Sequence, residues 1–381
     1  MPAADPLATI VGLVAADVAG QIPVVVRPDT PLDTAAVLAA AADEPRRHGL
    51  DPEIPLLVVH TSGSSGTPRA VVRTVASWTT SLPGYSRLTG ETADDVAWAP
   101  GSVASTLTLF ALWHALATGV PAAGTGPWRG VPDVPVVAEA TVVHAVPPVA
   151  ADVLTARLDG ALPRLRRLIV AGSAVPPVLR ATAQAAGVQL VEYYGAAELS
   201  FVAADPDGRG LRPFAGVRLR VRDGRIEVRS PYVALGYLAG ASGPLAVDRE
   251  GWAGVGDLGR LTADGALLVA GRGDQAISVG SDIVLVADVE RVLASVPGVA
   301  EVVCVGEPHA RLGARLVAVV RPRRDAPDDL VQRLRRQART ALGPPARPVR
   351  YLLVDDLPRT PAGKVSRLAV PALVRRGRRP A

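Results

Sequence analysis

Lys364 is the only lysine in the chain; every other basic residue among its 41 lysines and arginines is arginine, and asparagine is missing altogether. A compositional pressure that replaces lysine wherever a plain positive charge suffices would have removed this one too. Lysine's compact ammonium and arginine's planar fork differ in hydration and donor geometry, so its retention marks a position that needs an ammonium. It lies in Pro358-Arg359-Thr360-Pro361-Ala362-Gly363-Lys364-Val365, a Pro/Gly turn by composition.

Three further segments carry residues suited to chemistry. In His60-Thr61-Ser62-Gly63-Ser64-Ser65-Gly66-Thr67-Pro68-Arg69, glycines let the backbone close around an anion, and N–H and hydroxyl groups donate to its oxygens. No Lys-Ser/Thr follows the second glycine, so this is not a Walker loop. In Glu192-Tyr193-Tyr194-Gly195-Ala196-Ala197-Glu198, a carboxylate just beyond a strand suits Mg²⁺, which is usually held by one or two carboxylates plus substrate phosphates. A tyrosine there can stack on a purine. Gly254-Val255-Gly256-Asp257 and Gly271-Arg272-Gly273-Asp274 offer an aspartate able to accept from two ribose hydroxyls and an arginine to reinforce it. Taken singly, each segment also reads as an ordinary linker, core strand or turn.

The elements that must position these groups are legible in the patterning. Residues 55–60 form a short apolar run ending in the Gly/Ser loop, a strand and then a loop. Strand-like and helix-like runs then alternate to about residue 200, for example strand 168–171, helix 177–186 and strand 189–193. This is the signature of α/β layering on a largely parallel sheet. Residues 217–222 and 225–229 alternate strictly around Asp223-Gly224, and 261–270 repeat the design around Asp264-Gly265, which predicts an antiparallel β region. Beyond residue 274 a small α+β unit is expected, with helices over 286–296 and 328–342 and strands over 301–306 and 315–321. The expected division is a large domain, 1–273, and a small mobile domain, 274–381. Residues 1–50 read as a short leader, helical around 34–42.

With 381 residues, 49% apolar and 20% charged, the chain is long and apolar enough to fold into two or three domains. Its +5 charge is spread over scattered arginines without interleaved aromatics, which argues against nucleic acid as a partner. No run of about 18 residues lacks polar breaks, so no membrane span is expected. The one cysteine, Cys304, sits in an apolar run and reads as core; a cytoplasmic location is expected.

In order and spacing, these four segments resemble the signature motifs of the adenylate-forming (AMP-binding) superfamily, over residues 55 to the end. In size and in Gly271-Arg272-Gly273-Asp274-Gln275-Ala276-Ile277-Ser278 the chain is similar to compact acyl-CoA synthetases such as o-succinylbenzoate–CoA ligases. The resemblance implies an acid–thiol ligase in which carboxylate and ATP give acyl-AMP and pyrophosphate, followed by transfer to coenzyme A. It implies that Thr61, Ser62, Gly63, Ser64, Ser65, Gly66, Thr67 and Arg69 form the phosphate loop, and that Ser173, Ala174, Tyr194 and Gly195 flank adenine. Glu198 would bind Mg²⁺, Asp257 and Arg272 would hold the ribose, and Asp274 would be the hinge. Gly280 would line the thiol tunnel and Lys364 would bridge carboxylate and phosphate oxygens as charge shifts between them.

Arg69 and Ala70 stand where the family has lysine and glycine, Ala197 stands where it has threonine, and a customary histidine is replaced near Ser102 and Val103. The region before the phosphate loop is also short. An apolar or aryl carboxylic acid is the expected substrate. An acyl carrier protein is the alternative acceptor, and a non-catalytic nucleotide- or acyl-AMP-binding paralogue the alternative role.

Overall fold

The computed structural model describes residues 6–19, 21–25, 34–61, 69–272, 276–279, 282–309, 313–360 and 364–376. Its centre is a seven-stranded sheet in the order Ala122–Gly124, Ala97–Ala99, Val142–Ala145, Arg167–Ala171, Gln189–Ala196, Ser200–Asp205, Arg212–Pro213. The first five strands run parallel and the last two antiparallel. Helices Thr106–Thr118, Pro147–Leu158 and Pro177–Ala185 make the crossovers that parallel strands require. Strands Val142–Ala145 and Arg167–Ala171 are apolar and buried almost throughout, as sheet covered on both faces must be. The helix expected at 177–186 and the strand expected at 189–193 are both present, the strand continuing to Ala196.

The region around the Gly/Ser loop departs from simple α/β alternation. Leu56–His60 and Ala70–Thr74 pair antiparallel, His60 opposite Ala70, and Gly236–Tyr237 joins them as a third strand. The loop is therefore the connection of a β-hairpin, not a strand-to-helix turn. The third strand comes from far along the chain, so local patterning could not reveal it. At the start, Pro6–Val18 and Thr34–Arg47 are both helical.

The antiparallel region forms a six-stranded sheet, with Arg218–Arg222 and Arg225–Arg229 joined through Asp223 and Gly224, both at positive φ. That is the backbone an Asp-Gly hairpin turn supplies. One large apolar cluster, including Leu57, Val71, Tyr85, Phe110, Phe201, Phe214, Ile226 and Leu267, welds this region to the central and small sheets.

The C-terminal residues build a five-stranded sheet of Asp282–Leu285, Ala276–Val279, Gly313–Pro322, Val299–His309 and Arg350–Leu353. Helices Val286–Ala294 and Leu330–Ala341 cover it, burying Val289, Leu293, Leu334 and Ala338 against Cys304, Leu316 and Ala318. Among the described residues, no helix is long and apolar enough to cross a membrane.

Candidate active site

The polar residues of interest gather at the carboxyl ends of the parallel strands, where open α/β sheets bind ligands. Strand Gln189–Ala196 and strand Ser200–Asp205 are joined by the turn Ala197-Glu198-Leu199, with Leu199 N–H donating to Ala196 O. The ladder shifts register at Tyr194/Gly195, and a methyl group at Gly195 would meet Ser200 O at 2.0 Å. Glycine is thus required at this bulge, and the bulge aims the turn. Its tip residue, Glu198, is 1% exposed; its backbone carbonyl accepts from Ala234 N–H at 2.7 Å.

Tyr237 Oη donates to Glu198 Oε1 at 2.9 Å and accepts from Leu245 N–H at 3.1 Å. Burial, and then the Glu198 charge, push the Tyr237 hydroxyl far above its usual pKa, while Arg69 pulls it down. Among the described residues, Glu198 Oε2 is buried without a hydrogen-bond partner. An unpaired buried carboxylate oxygen costs at least about 1–3 kcal/mol, and a hard oxygen of this kind fits Mg²⁺.

Thr61 and Arg69 clasp the base of the Gly/Ser loop: Thr61 N–H donates to Arg69 O at 2.9 Å, and Arg69 N–H donates to Thr61 Oγ1 at 3.0 Å. Ser62, Gly63, Ser64, Ser65, Gly66 and Thr67 lie outside the described residues, as do Asp274 and Gly280. Tyr194 Oη donates to Asp257 Oδ2 at 2.5 Å, joining the central sheet to the antiparallel one. Asp257 is 7% exposed and stands opposite Arg272 in the ladder of strands Asp257–Leu261 and Leu267–Arg272.

Ser173 and Ala174 follow strand Arg167–Ala171 and are solvent-exposed. Beside them comes a contribution from the C-terminal residues. Thr360 N–H donates to Lys364 O at 2.7 Å, closing a short turn, and the Lys364 side chain reaches Gly172. A methyl group on Gly172 would stand 2.8 Å from Lys364 Cε and 3.1 Å from Nζ, and Gly172 has φ +95°. The glycine makes room for the lysine at the end of one strand, with Tyr194 on the next.

Some side chains are placed otherwise than their positions suggested. The segments Trp98 to Leu109, His144 to Pro148, Ala171 to Ala174 and Tyr193 to Ala197 read from the sequence as the acyl pocket, but His144 is 1% exposed and faces the core. Its Nδ1 lies 2.9 Å from Tyr85 Oη and its Nε2 lies 3.1 Å from Glu91 Oε1; His114 Nδ1 lies 3.5 Å from Glu91 Oε2. Burial alone would raise the Glu91 carboxyl, but His144 and His114 outweigh it and hold it well below the usual range. Trp98 is likewise fully buried, its indole N–H donating to Thr125 Oγ1 at 3.0 Å. Sequence reasoning missed Arg73 and Tyr237; a lone arginine within Ala70-Val71-Val72-Arg73-Thr74 was the only sign of the first.

Comparison with known proteins bears on this arrangement. Residues 4–238 match the model of the AMP-binding enzyme family, and residues 288–364 match the AMP-binding enzyme C-terminal domain. A probable 2-succinylbenzoate–CoA ligase of Mycobacterium tuberculosis is 33% identical over 338 residues, 84% of each chain. A fatty acid–[acyl-carrier-protein] ligase, ScoC of Streptomyces coeruleorubidus, is 29% identical over 85% of this chain and 68% of its own. Among solved structures, a variant of E. coli MenE with bound OSB-AMS superposes with TM-score 0.71 at 25% identity, over 84% of this chain and 69% of that one.

Proposed function

The chain belongs to the AMP-binding enzyme family, and from that premise we propose how its residues share the work of an ATP-dependent acid–CoA ligase. The reaction has two halves: carboxylate and ATP give acyl-AMP and pyrophosphate, and coenzyme A then takes the acyl group as a thioester, releasing AMP. The observation that carries the assignment is Lys364 seated against Gly172 at the strand end.

In the first half, the ammonium of Lys364 neutralises charge passing between the attacking carboxylate and the α-phosphate, where a preorganised cation acts most strongly. The loop 61–69 holds the β- and γ-phosphates. Tyr194 packs on adenine with Gly195 beneath it and Ser173 and Ala174 alongside, while Asp257 accepts from the ribose hydroxyls with Arg272 in support. Glu198, whose Oε2 has no partner among the described residues, would hold Mg²⁺, which would supply charge to screen the phosphates.

Lys364 is then withdrawn. Residues 274–381 turn as a body about Asp274 relative to residues 1–273, opening a path past Gly280 for the thiol, a gating motion of the kind that lets one site serve two steps. The apolar surroundings favour an apolar or aryl acid. Succinylbenzoate is the first to test, given the named activity of the 33%-identical relative. A carrier-protein phosphopantetheine is the second acceptor to test, given the likeness to ScoC. A cytoplasmic location fits the supply of ATP and coenzyme A.

The deciding experiment is ATP-dependent pyrophosphate release with a panel of carboxylic acids, with and without coenzyme A or a carrier protein, in wild type and Lys364→Ala. Release with one acid class that collapses in the variant supports the assignment and identifies the substrate. Silence across the panel with ATP still bound would leave a nucleotide-binding paralogue.

A further inference from the structure

Arg73 follows the phosphate loop on strand Ala70–Thr74 and is fully buried at 0% exposure. Arginine is almost never fully buried unless paired. Burial drags its guanidinium well below its usual value, to about 9, with the Glu198 charge pulling the other way. The fork is spread over three segments. Nε donates to Ser77 Oγ at 3.0 Å, Nη1 to Ala197 O at 3.0 Å, and Nη2 to Tyr232 O at 2.5 Å. Its Cζ lies 5.4 Å from the Trp78 ring centroid.

Two of these acceptors bear directly on the carboxylate. Ala197 immediately precedes Glu198, so Nη1 fixes the turn that carries it. Tyr232 leads into strand Gly236–Tyr237, so Nη2 anchors the approach to the tyrosine that donates to Glu198 Oε1. The Tyr237 ring is itself gripped, since a methyl group at Gly243 would fall 2.2 Å from it. One oxygen of Glu198 is thereby committed to Tyr237, and the other has no hydrogen-bond partner among the described residues.

We propose that Arg73 and Tyr237 are positioning residues for the metal-binding carboxylate: together they clamp Glu198 so that Oε2 is presented to the divalent cation of the nucleotide complex. The inference rests on the assignment of Glu198 as the metal ligand. Groups that orient a metal-binding side chain commonly change metal affinity by about 10- to 100-fold when removed. Lysine at position 73 would keep the charge but lose the three-way fork.

The test measures binding, without any carboxylic acid, on the full chain. Mn²⁺·ATP is titrated by electron paramagnetic resonance and metal-free ATP, in EDTA, by calorimetry. The variants are Tyr237→Phe, Arg73→Lys, Arg73→Gln and Glu198→Gln. Mn²⁺·ATP binding is expected to weaken by about 10- to 100-fold in Tyr237→Phe and Arg73→Gln and by less in Arg73→Lys, with metal-free ATP binding little changed. Tyr237→Phe removes one oxygen and keeps the ring, so it carries the test if an Arg73 variant does not fold. Equal weakening of both nucleotide forms would overturn the inference in favour of a general structural role. Wild-type Mn²⁺·ATP binding in Tyr237→Phe alongside weakened binding in Glu198→Gln would overturn it and leave Glu198 as ligand. Wild-type binding in Glu198→Gln would overturn the assignment of Glu198 itself.

Discussion

Glu198 and Lys364 carry opposite charges to the proposed site, and the molecule holds them in opposite ways. Glu198 is 1% exposed at the tip of a tight turn, with its carbonyl, one carboxylate oxygen and the preceding residue all bonded to other segments. Lys364 is half-buried on a short turn from the C-terminal residues and meets the strand end where a missing side chain, at Gly172, leaves room. The difference matches the proposed duties. A metal ligand serves both substrate binding and chemistry and gains from being immobile. A group needed for one half-reaction must be able to leave, and many tight bonds would oppose its departure.

The contrast can be broken or sharpened experimentally. The largest effect is expected for Lys364→Ala: pyrophosphate release should fall by about 10²–10³-fold or more, the scale of losing one preorganised electrostatic group. Thioester formation from supplied acyl-AMP and the melting temperature should stay near wild type. Equal loss in both half-reactions would break the contrast.

Glu91→Gln tests the opposite kind of residue, a buried charge beneath the site with no proposed part in it. Breaking a buried pair costs about 3–5 kcal/mol, which thermal unfolding would register while the ratio of the two half-reactions holds. Because the folded carboxyl is depressed below its ordinary 4.5, its stabilisation is complete above that pH and is lost as the pH falls below it. The variant's stability should therefore change less between pH 5 and pH 3 than that of wild type.

Gly172→Ala should slow pyrophosphate release by about tenfold, the result of roughly 1.4 kcal/mol of crowding at the lysine. It should spare thioester formation from acyl-AMP. Parallel loss of both would mean that the strain of an alanine at φ +95° acts on the strand end and not on Lys364. The smallest change is expected for Tyr194→Phe. Losing the bond to Asp257 should raise the KM for ATP by several-fold, in line with about 0.5–1.5 kcal/mol for a hydrogen bond.

Much of the site was legible because its residues sit at fixed offsets within short segments. Turns such as Asp223-Gly224, the strand before the Gly/Ser loop and the lone lysine report themselves through local conformation or composition. Arg73 and Tyr237 did not, since their importance lies in pairing with residues far along the chain. His144 misled in the other direction: proximity to a strand end suggested a pocket wall, but the side-chain alternation of a strand sends every second residue to the opposite face.

By itself the sequence determined the α/β core, the antiparallel region, the small C-terminal α+β unit and the four chemical segments. Periodicity and turn chemistry are properties of neighbours in the chain. Only the tertiary structure decided that Gly236–Tyr237 completes the sheet beside the Gly/Ser loop, that Glu91 is enclosed by two histidines, and that one oxygen of Glu198 is bound while the other has no partner among the described residues. Those outcomes depend on which distant groups are buried together, where an unpaired charge is costly and every partner must be supplied by the fold.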